Sequence, residues 1–98
     1  MPTALIRPSS HLRVKYRVPP RRLVEYKVEA SRPVSTFVVD EEGLREFLGR
    51  GGVYSYYGGF ANRYEHQQEL RLPFTGWWYL VIDNPHKESV AVHYEVSG

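Results

Sequence analysis

Cysteine is absent from this 98-residue chain. That excludes a disulfide framework, a thiolate metal site and a cysteine nucleophile, and it leaves packing alone to hold the fold, as suits a reducing compartment. Long apolar runs are absent too. The opening stretch Met1-Pro2-Thr3-Ala4-Leu5-Ile6-Arg7 has too little apolar core for a signal peptide, and no segment approaches the ~20 apolar residues that span a bilayer. The expectation is a soluble, cytoplasmic protein with no membrane partner. Histidine is sparse: His11, His66, His86 and His93 show neither H-x-H nor H-E-x-x-H spacing, so neither a metal nor another cofactor is expected. Ser55 and Ser89 sit in no nucleophile elbow, and Gly58-Gly59 lacks the lysine and following helix of a P-loop. With no repeat, low-complexity tract or linker, residues 1–98 read as one domain, and with no catalytic constellation they read as a protein that is not an enzyme.

Acidic residues are scarce in the first third. Residues 1–32 carry eight Lys/Arg against Glu25 and Glu29, whereas residues 33–98 carry five against nine Asp/Glu. Such a split marks either an anionic partner or two halves that pair with each other.

What is present is alternation. Leu12, Val14, Tyr16 and Val18 alternate with His11, Arg13, Lys15 and Arg17, and Val24, Tyr26, Val28 and Ala30 alternate with Glu25, Lys27 and Glu29. Period two is the signature of a half-buried strand. Pro19-Pro20-Arg21-Arg22 separates the two runs, which predicts a hairpin. Facing Val18 to Val24 keeps both apolar sets on one side and sets Arg17 against Glu25, Lys15 against Lys27 and Arg13 against Glu29.

Further strands are expected over Val34–Val39, Val53–Tyr57, Gln67–Leu72, Trp77–Asp83 and Val90–Val96. One short helix is expected after Asp40 as N-cap, with Leu44, Phe47 and Leu48 on its apolar face and Gly49 at its end. About seven short strands at regular spacing predict an all-β fold: a single antiparallel β-sandwich, jelly-roll-like or Greek-key, with one short helix.

Five segments carry a resemblance: Val24-Glu25-Tyr26-Lys27-Val28, the step Val38-Val39-Asp40 into the short helix, Tyr56-Tyr57-Gly58-Gly59-Phe60-Ala61, a strand ending Leu70-Arg71-Leu72-Pro73, and Gly76-Trp77-Trp78-Tyr79-Leu80-Val81-Ile82-Asp83. From about Arg22 to Val96 the pattern resembles a small bacterial family of β-sandwich domains of unknown function, sometimes found beside TIR-type domains. The resemblance implies a compact β-sandwich and carries over no catalytic residue. Tyr64-Glu65-His66 and Asn84-Pro85 depart from the family's pattern in the loops.

Trp77 and Trp78 are adjacent on a strand and must point to opposite faces. The face that misses the core would join Tyr54, Tyr56 and Tyr57 in an aromatic corner of Trp77 and Tyr79, with Arg63 and His66 as polar neighbours. This is the candidate site of a binding or assembly module that recognises a protein through flat aromatic anchors, or a small ligand. Self-association through the same face is the alternative. Nucleic-acid binding through Lys15, Arg21, Arg22 and Lys27 is disfavoured, because the expected hairpin neutralises Arg13 and Arg17 and buries Tyr16 and Tyr26. An acid–base role for His66 with Glu65 or Asp83 has no supporting motif.

Overall fold

In the computed structural model, residues 3–49 and 57–97 are described. The order of elements is β1 (Thr3–Ile6), β2 (His11–Val18), β3 (Leu23–Asp40), α1 (Glu41–Leu48), β4 (Tyr57–Arg71), β5 (Gly76–Asp83) and β6 (Val90–Ser97). All six strands belong to one antiparallel sheet of order β1-β6-β3-β5-β2, with β4 added on the other side of β3. The all-β class and, among the described residues, the single short helix are as expected; the strand expected over Val53–Tyr57 lies outside the described residues but for Tyr57. The architecture is one curled sheet, a half-barrel, rather than two separate sheets of about seven strands.

The long bent strand β3 explains the curl. Its first part, Glu25 to Ala30, pairs with β6, and its second, Ser35 to Asp40, pairs with β5. Along its other edge β4 follows it throughout, with register shifts between Glu29 and Val34, Val34 and Thr36, and Thr36 and Val38. Pro33 lies inside the first of these irregularities, where its missing N–H costs no ladder bond. Two expected strands thus fuse into β3, and Gly58-Gly59 lies within β4. There Gly58, Gly59 and Asn62 adopt positive φ (58°, 116° and 54°) beside the two later shifts. Strand β1 was not anticipated.

The hairpin expectation fails. A turn does form, with the Arg22 N–H donating to the Pro19 carbonyl at 2.8 Å. The strands on either side of it go to different partners: Val18 lies opposite Gly76 of β5, and Val24 lies opposite Leu70 of β4. The connection is an arch between the two arms of the curled sheet. Arg17 therefore faces Trp77, Lys15 faces Tyr79 and Arg13 faces Val81. Lys27 pairs instead with its neighbour Glu29, at 3.4 Å.

The core fills the concave side. Trp78, Leu80 and Ile82 of β5 pack there with Val24, Tyr26, Val28, Val34 and Val38 of β3, Val90 and Val92 of β6, Ile6 and Leu72. On the convex side α1 covers a smaller cluster of Phe37, Val39, Leu44 and Val81, with Phe47 and Tyr79 against it. Strand β5 reads as a continuous apolar run because core and helix cover much of both its faces. The helix is held at its start by Asp40 Oδ1, which accepts the Gly43 N–H at 2.7 Å, and at its end by Gly49, whose N–H returns to the Arg45 carbonyl. Leu48, expected on the buried face, is largely exposed. Among the described residues no helix is long and apolar enough to cross a membrane.

Candidate functional site

Among the described residues, those of the expected aromatic corner divide between the two faces of the sheet, with Trp77 and Tyr79 on one and Tyr57 on the other. Tyr54 and Tyr56 lie outside the described residues. Tyr57 opens β4 opposite Val38 and therefore shares the core-facing side, where its ring meets Trp78 edge-on at 5.3 Å. Phe74 flanks Trp78 at 4.8 Å, and its carbonyl accepts the indole N–H at 3.2 Å. Trp77 points the other way, so Tyr57 and Trp77 are on opposite faces of the sheet. Arg63 lies over the Phe60 ring at 4.2 Å, away from both tryptophans.

His66 is a correction of a different kind. It is 1 % exposed and so is no surface neighbour of anything. It belongs to a buried polar chain across the β3–β4 seam. Its Nε2 donates to the Arg63 carbonyl at 2.9 Å, and its Nδ1 lies 2.9 Å from Thr36 Oγ1. Thr36 meets the Tyr26 hydroxyl at 3.1 Å, and that hydroxyl reaches Gln68 Oε1 at 3.2 Å. The Gly59 N–H, donating at 2.8 Å, fixes Gln68 with its oxygen inward. Both ends of the chain are acceptors, so its four links call for four protons. A neutral imidazole, one threonine and one tyrosine supply three. With His66 neutral, Tyr26 shares a single proton between Thr36 and Gln68.

Burial holds the His66 pKa below its ordinary value of 6.5, against the carbonyls of Arg63 and Val34, which favour the charged ring; Arg63's charge adds to the lowering. The sign for stability follows. The unfolded chain takes up the proton first as pH falls, so the contribution is full above about 6.5 and is lost as pH drops toward the lower folded value. His11 acts in the same direction, lowered by burial and by Arg13 and opposed by Asp83. Asp83 acts oppositely, because burial raises its pKa against the opposing pull of His11. The urea midpoint should therefore fall between pH 7 and pH 5.5, and His66→Gln should leave a shallower fall carried by His11. An unchanged slope in His66→Gln would count against this assignment.

The acid–base alternative does not assemble either. Glu65 is exposed while the adjacent His66 is buried, and Asp83 lies opposite His11 on β2. Among the described residues no group of three or more His, Asp or Glu is gathered as a metal would need.

What the structure does bring together is a set that the hairpin reading had dispersed. On the convex side, next to the cluster that α1 covers and Tyr79 adjoins, β2 presents Arg13, Lys15 and Arg17, all exposed, beside Trp77 and Tyr79 of β5. Trp77 is 52 % exposed, whereas Trp78 is fully buried. Lys15 Nζ stands 4.7 Å from the centre of the Trp77 ring and 6.0 Å from that of Tyr79, a cation–π contact that bridges the two. Arg13, Lys15 and Arg17 form no ion pair among the described residues; the ion pairs found are Lys27–Glu29 and Arg32–Glu88. Of the other basic candidates, Lys27 is engaged with Glu29 on the distant arm of β3. Arg21 is exposed in the arch, and Arg22 donates to the Pro73 carbonyl at 2.9 Å.

Arg13 and Arg17 are the functional candidates missed by sequence reasoning. Their alternation with the apolar positions was visible, but their neighbours depend on which strand lies alongside. Comparison with protein-family models and with curated proteins gives no match.

Proposed function

We propose that this domain is a non-catalytic binding module that receives its partner on the open β2–β5 face, with Trp77 as the anchor. One observation carries the reading. A half-exposed tryptophan stands on an inner strand beside three cations without ion-pair partners among the described residues, in a fold whose other tryptophan is wholly buried. Large aromatic surfaces and arginines are the groups that concentrate binding energy at interfaces. The two arms of the sheet face each other across the Trp78 core with β3 and β4 running through both, which supports describing the fold as sandwich-like. The resemblance to the small bacterial family rests on its five segments and adds no chemistry.

Self-association by adding β2 to β2 is opposed by charge, since it would set Arg13, Lys15 and Arg17 of one copy against the same row of the next. The test is an amide NMR titration against pools of mononucleotides, simple sugars and short oligonucleotides. Shifts confined to the Trp77 indole and to residues 13–17 and 77–79, and abolished in Trp77→Ala, are the expected result. Shifts centred on Gly58–Arg63, or silence in every pool, would contradict it.

A further inference from the structure

Resting on that reading, we infer that the partner of the β2–β5 face is a single-stranded nucleic acid. The sign of the charge comes first. Arg13, Lys15 and Arg17 take alternate positions on one strand, so their cationic heads recur about every 6.5–7 Å along the rim of the sheet. A row of cations without ion-pair partners suits a repeating anion better than a single one.

The second argument is the place of the aromatics. Trp77 and Tyr79 lie one strand inward from that row, in register with Arg17 and Lys15. A polynucleotide laid along β2 would put its phosphates on the rim and its bases over β5. Any base can stack on an indole, so the contact is tolerant of sequence. The base must be free of its own stack, which a duplex does not allow. In the unliganded domain Lys15 Nζ covers the Trp77 ring. An arriving base takes the ring, and the ammonium moves to a phosphate.

An acidic peptide is the competing occupant. It would add to the open edge of β2 and meet the same cations, but it would leave Trp77 untouched. Cations on an edge strand also discourage strand pairing between copies. That role accounts for Arg13, Lys15 and Arg17 and gives no reason for an exposed tryptophan beside them.

The experiment uses the full chain with three probes: an oligothymidylate of about ten nucleotides, a duplex of the same length, and polyglutamate. Because Trp78 is buried, intrinsic fluorescence quenching reports on Trp77, and anisotropy of dye-labelled probes gives affinities in all variants. The oligothymidylate is expected to quench Trp77 and to bind at least about ten-fold more tightly than the duplex. Trp77→Ala should weaken it about 5- to 150-fold, the range of one stacked base. The log–log salt dependence should have a slope of about −2 for three phosphate contacts, falling to about −0.7 in Arg13→Gln/Arg17→Gln. Circular dichroism melts confirm that these exposed positions leave the fold intact.

Trp77-dependent binding of polyglutamate without binding of oligothymidylate would overturn the nucleic-acid assignment and leave the binding face standing. Oligothymidylate binding that is indifferent to Trp77→Ala and to salt would overturn the assignment and the face together. Silence with every probe overturns the assignment, and the NMR pools then decide the face.

Discussion

Asn84→Ala is expected to lower the unfolding free energy by about 3–5 kcal/mol, and Asn84→Asp to lower it further at neutral pH. Asn84 follows β5 and is fully buried. The two protons of its Nδ2 are shared among the carbonyls of Ile6 (3.1 Å), Arg7 (3.1 Å) and Glu88 (2.9 Å), so one bond is bifurcated, and its Oδ1 accepts the His86 N–H at 2.9 Å. The backbone N–H of His86 can only donate, so the amide orientation is fixed. The Asn84 backbone N–H adds a bond to the Ser10 carbonyl, and the Ser9 N–H returns to His86. His86 Nε2 in turn donates to the Pro33 carbonyl at 2.6 Å, tying the loop to the bend of β3.

One side chain thus ties together the β1–β2 and β5–β6 connections, which are the places where the chain crosses between the arms of the sheet. Alanine leaves the Ile6 carbonyl unsatisfied in the interior, at about 1 kcal/mol or more, and takes the partner from three part-buried groups, the Arg7 and Glu88 carbonyls and the His86 N–H. Aspartate keeps the acceptor for His86 but turns a carboxylate toward three carbonyl oxygens, so it should be worse than alanine. For a domain of this size each kcal/mol moves Tm by about 4–8 °C, which makes the effect easy to read in a thermal melt. An Asn84→Asp protein as stable as Asn84→Ala would show that the three carbonyls are not where the structure has them.

Gly59→Ala is the second large effect, about 3 kcal/mol or more. Gly59 has φ of 116°, in the region that favours glycine, and a Cβ there would overlap the Thr36 carbonyl oxygen and crowd Phe37 Cα at 3.1 Å. Those atoms are backbone of the partner strand and cannot step aside without parting β4 from β3. The Gly59 N–H also holds Gln68, so the displacement would reach the chain that runs through Tyr26 and Thr36 to His66. Two other glycines serve as comparisons. Gly76 has nearly the same φ of 117° but nothing within 4 Å of an added Cβ, so Gly76→Ala shows the backbone strain alone. Gly58→Ala meets the Leu70 methyls, which can yield, and Gln68 Oε1, which can yield only by giving up its bonds from the Gly59 N–H and the Tyr26 hydroxyl. The expected order of urea midpoints is therefore Gly59→Ala lowest by a clear margin. Equal losses at Gly59 and Gly76 would mean that β4 is not packed on Thr36.

Much of the fold was legible from the residues. Period two marked β2 and the first arm of β3, the strands expected over Val34–Val39, Trp77–Asp83 and Val90–Val96 fall on the second arm of β3, β5 and β6, and Asp40 with Gly49 bounded the helix correctly. The parity of Trp77 and Trp78 required one face each, but which of them lies in the core was not legible, because Leu80 and Ile82 on one side and Tyr79 and Val81 on the other are both apolar sets. The partner of β2 was not legible. A hairpin and an arch both send Leu12, Val14 and Tyr16 and the set Val24, Tyr26 and Val28 into the same interior, from one side or from two. The apolar pattern is identical in either case, and Pro19-Pro20-Arg21-Arg22 permits both turns.

The buried polar chain did leave a trace: His66, Gln68, Leu70 and Leu72 share one parity on β4, so inward polar groups could have been suspected. The open cationic face left none, because Arg13, Arg17 and Trp77 are far apart in sequence and meet only through the β2–β5 register. The expected ion pairs of Arg13 and Arg17 had concealed it.

The claim on which the binding face depends is that β2 lies against β5, with Lys15 beneath Trp77. A NOESY spectrum of the free protein tests it most directly. The account predicts cross-peaks between the Trp77 indole protons and the Lys15 side chain, upfield ring-current shifts of the Lys15 methylenes, and backbone contacts from Arg13–Arg17 to Trp77–Val81. Contacts from Arg13, Lys15 and Arg17 to Glu29, Lys27 and Glu25 would contradict it, restore the hairpin, and leave no cationic face for a partner to meet.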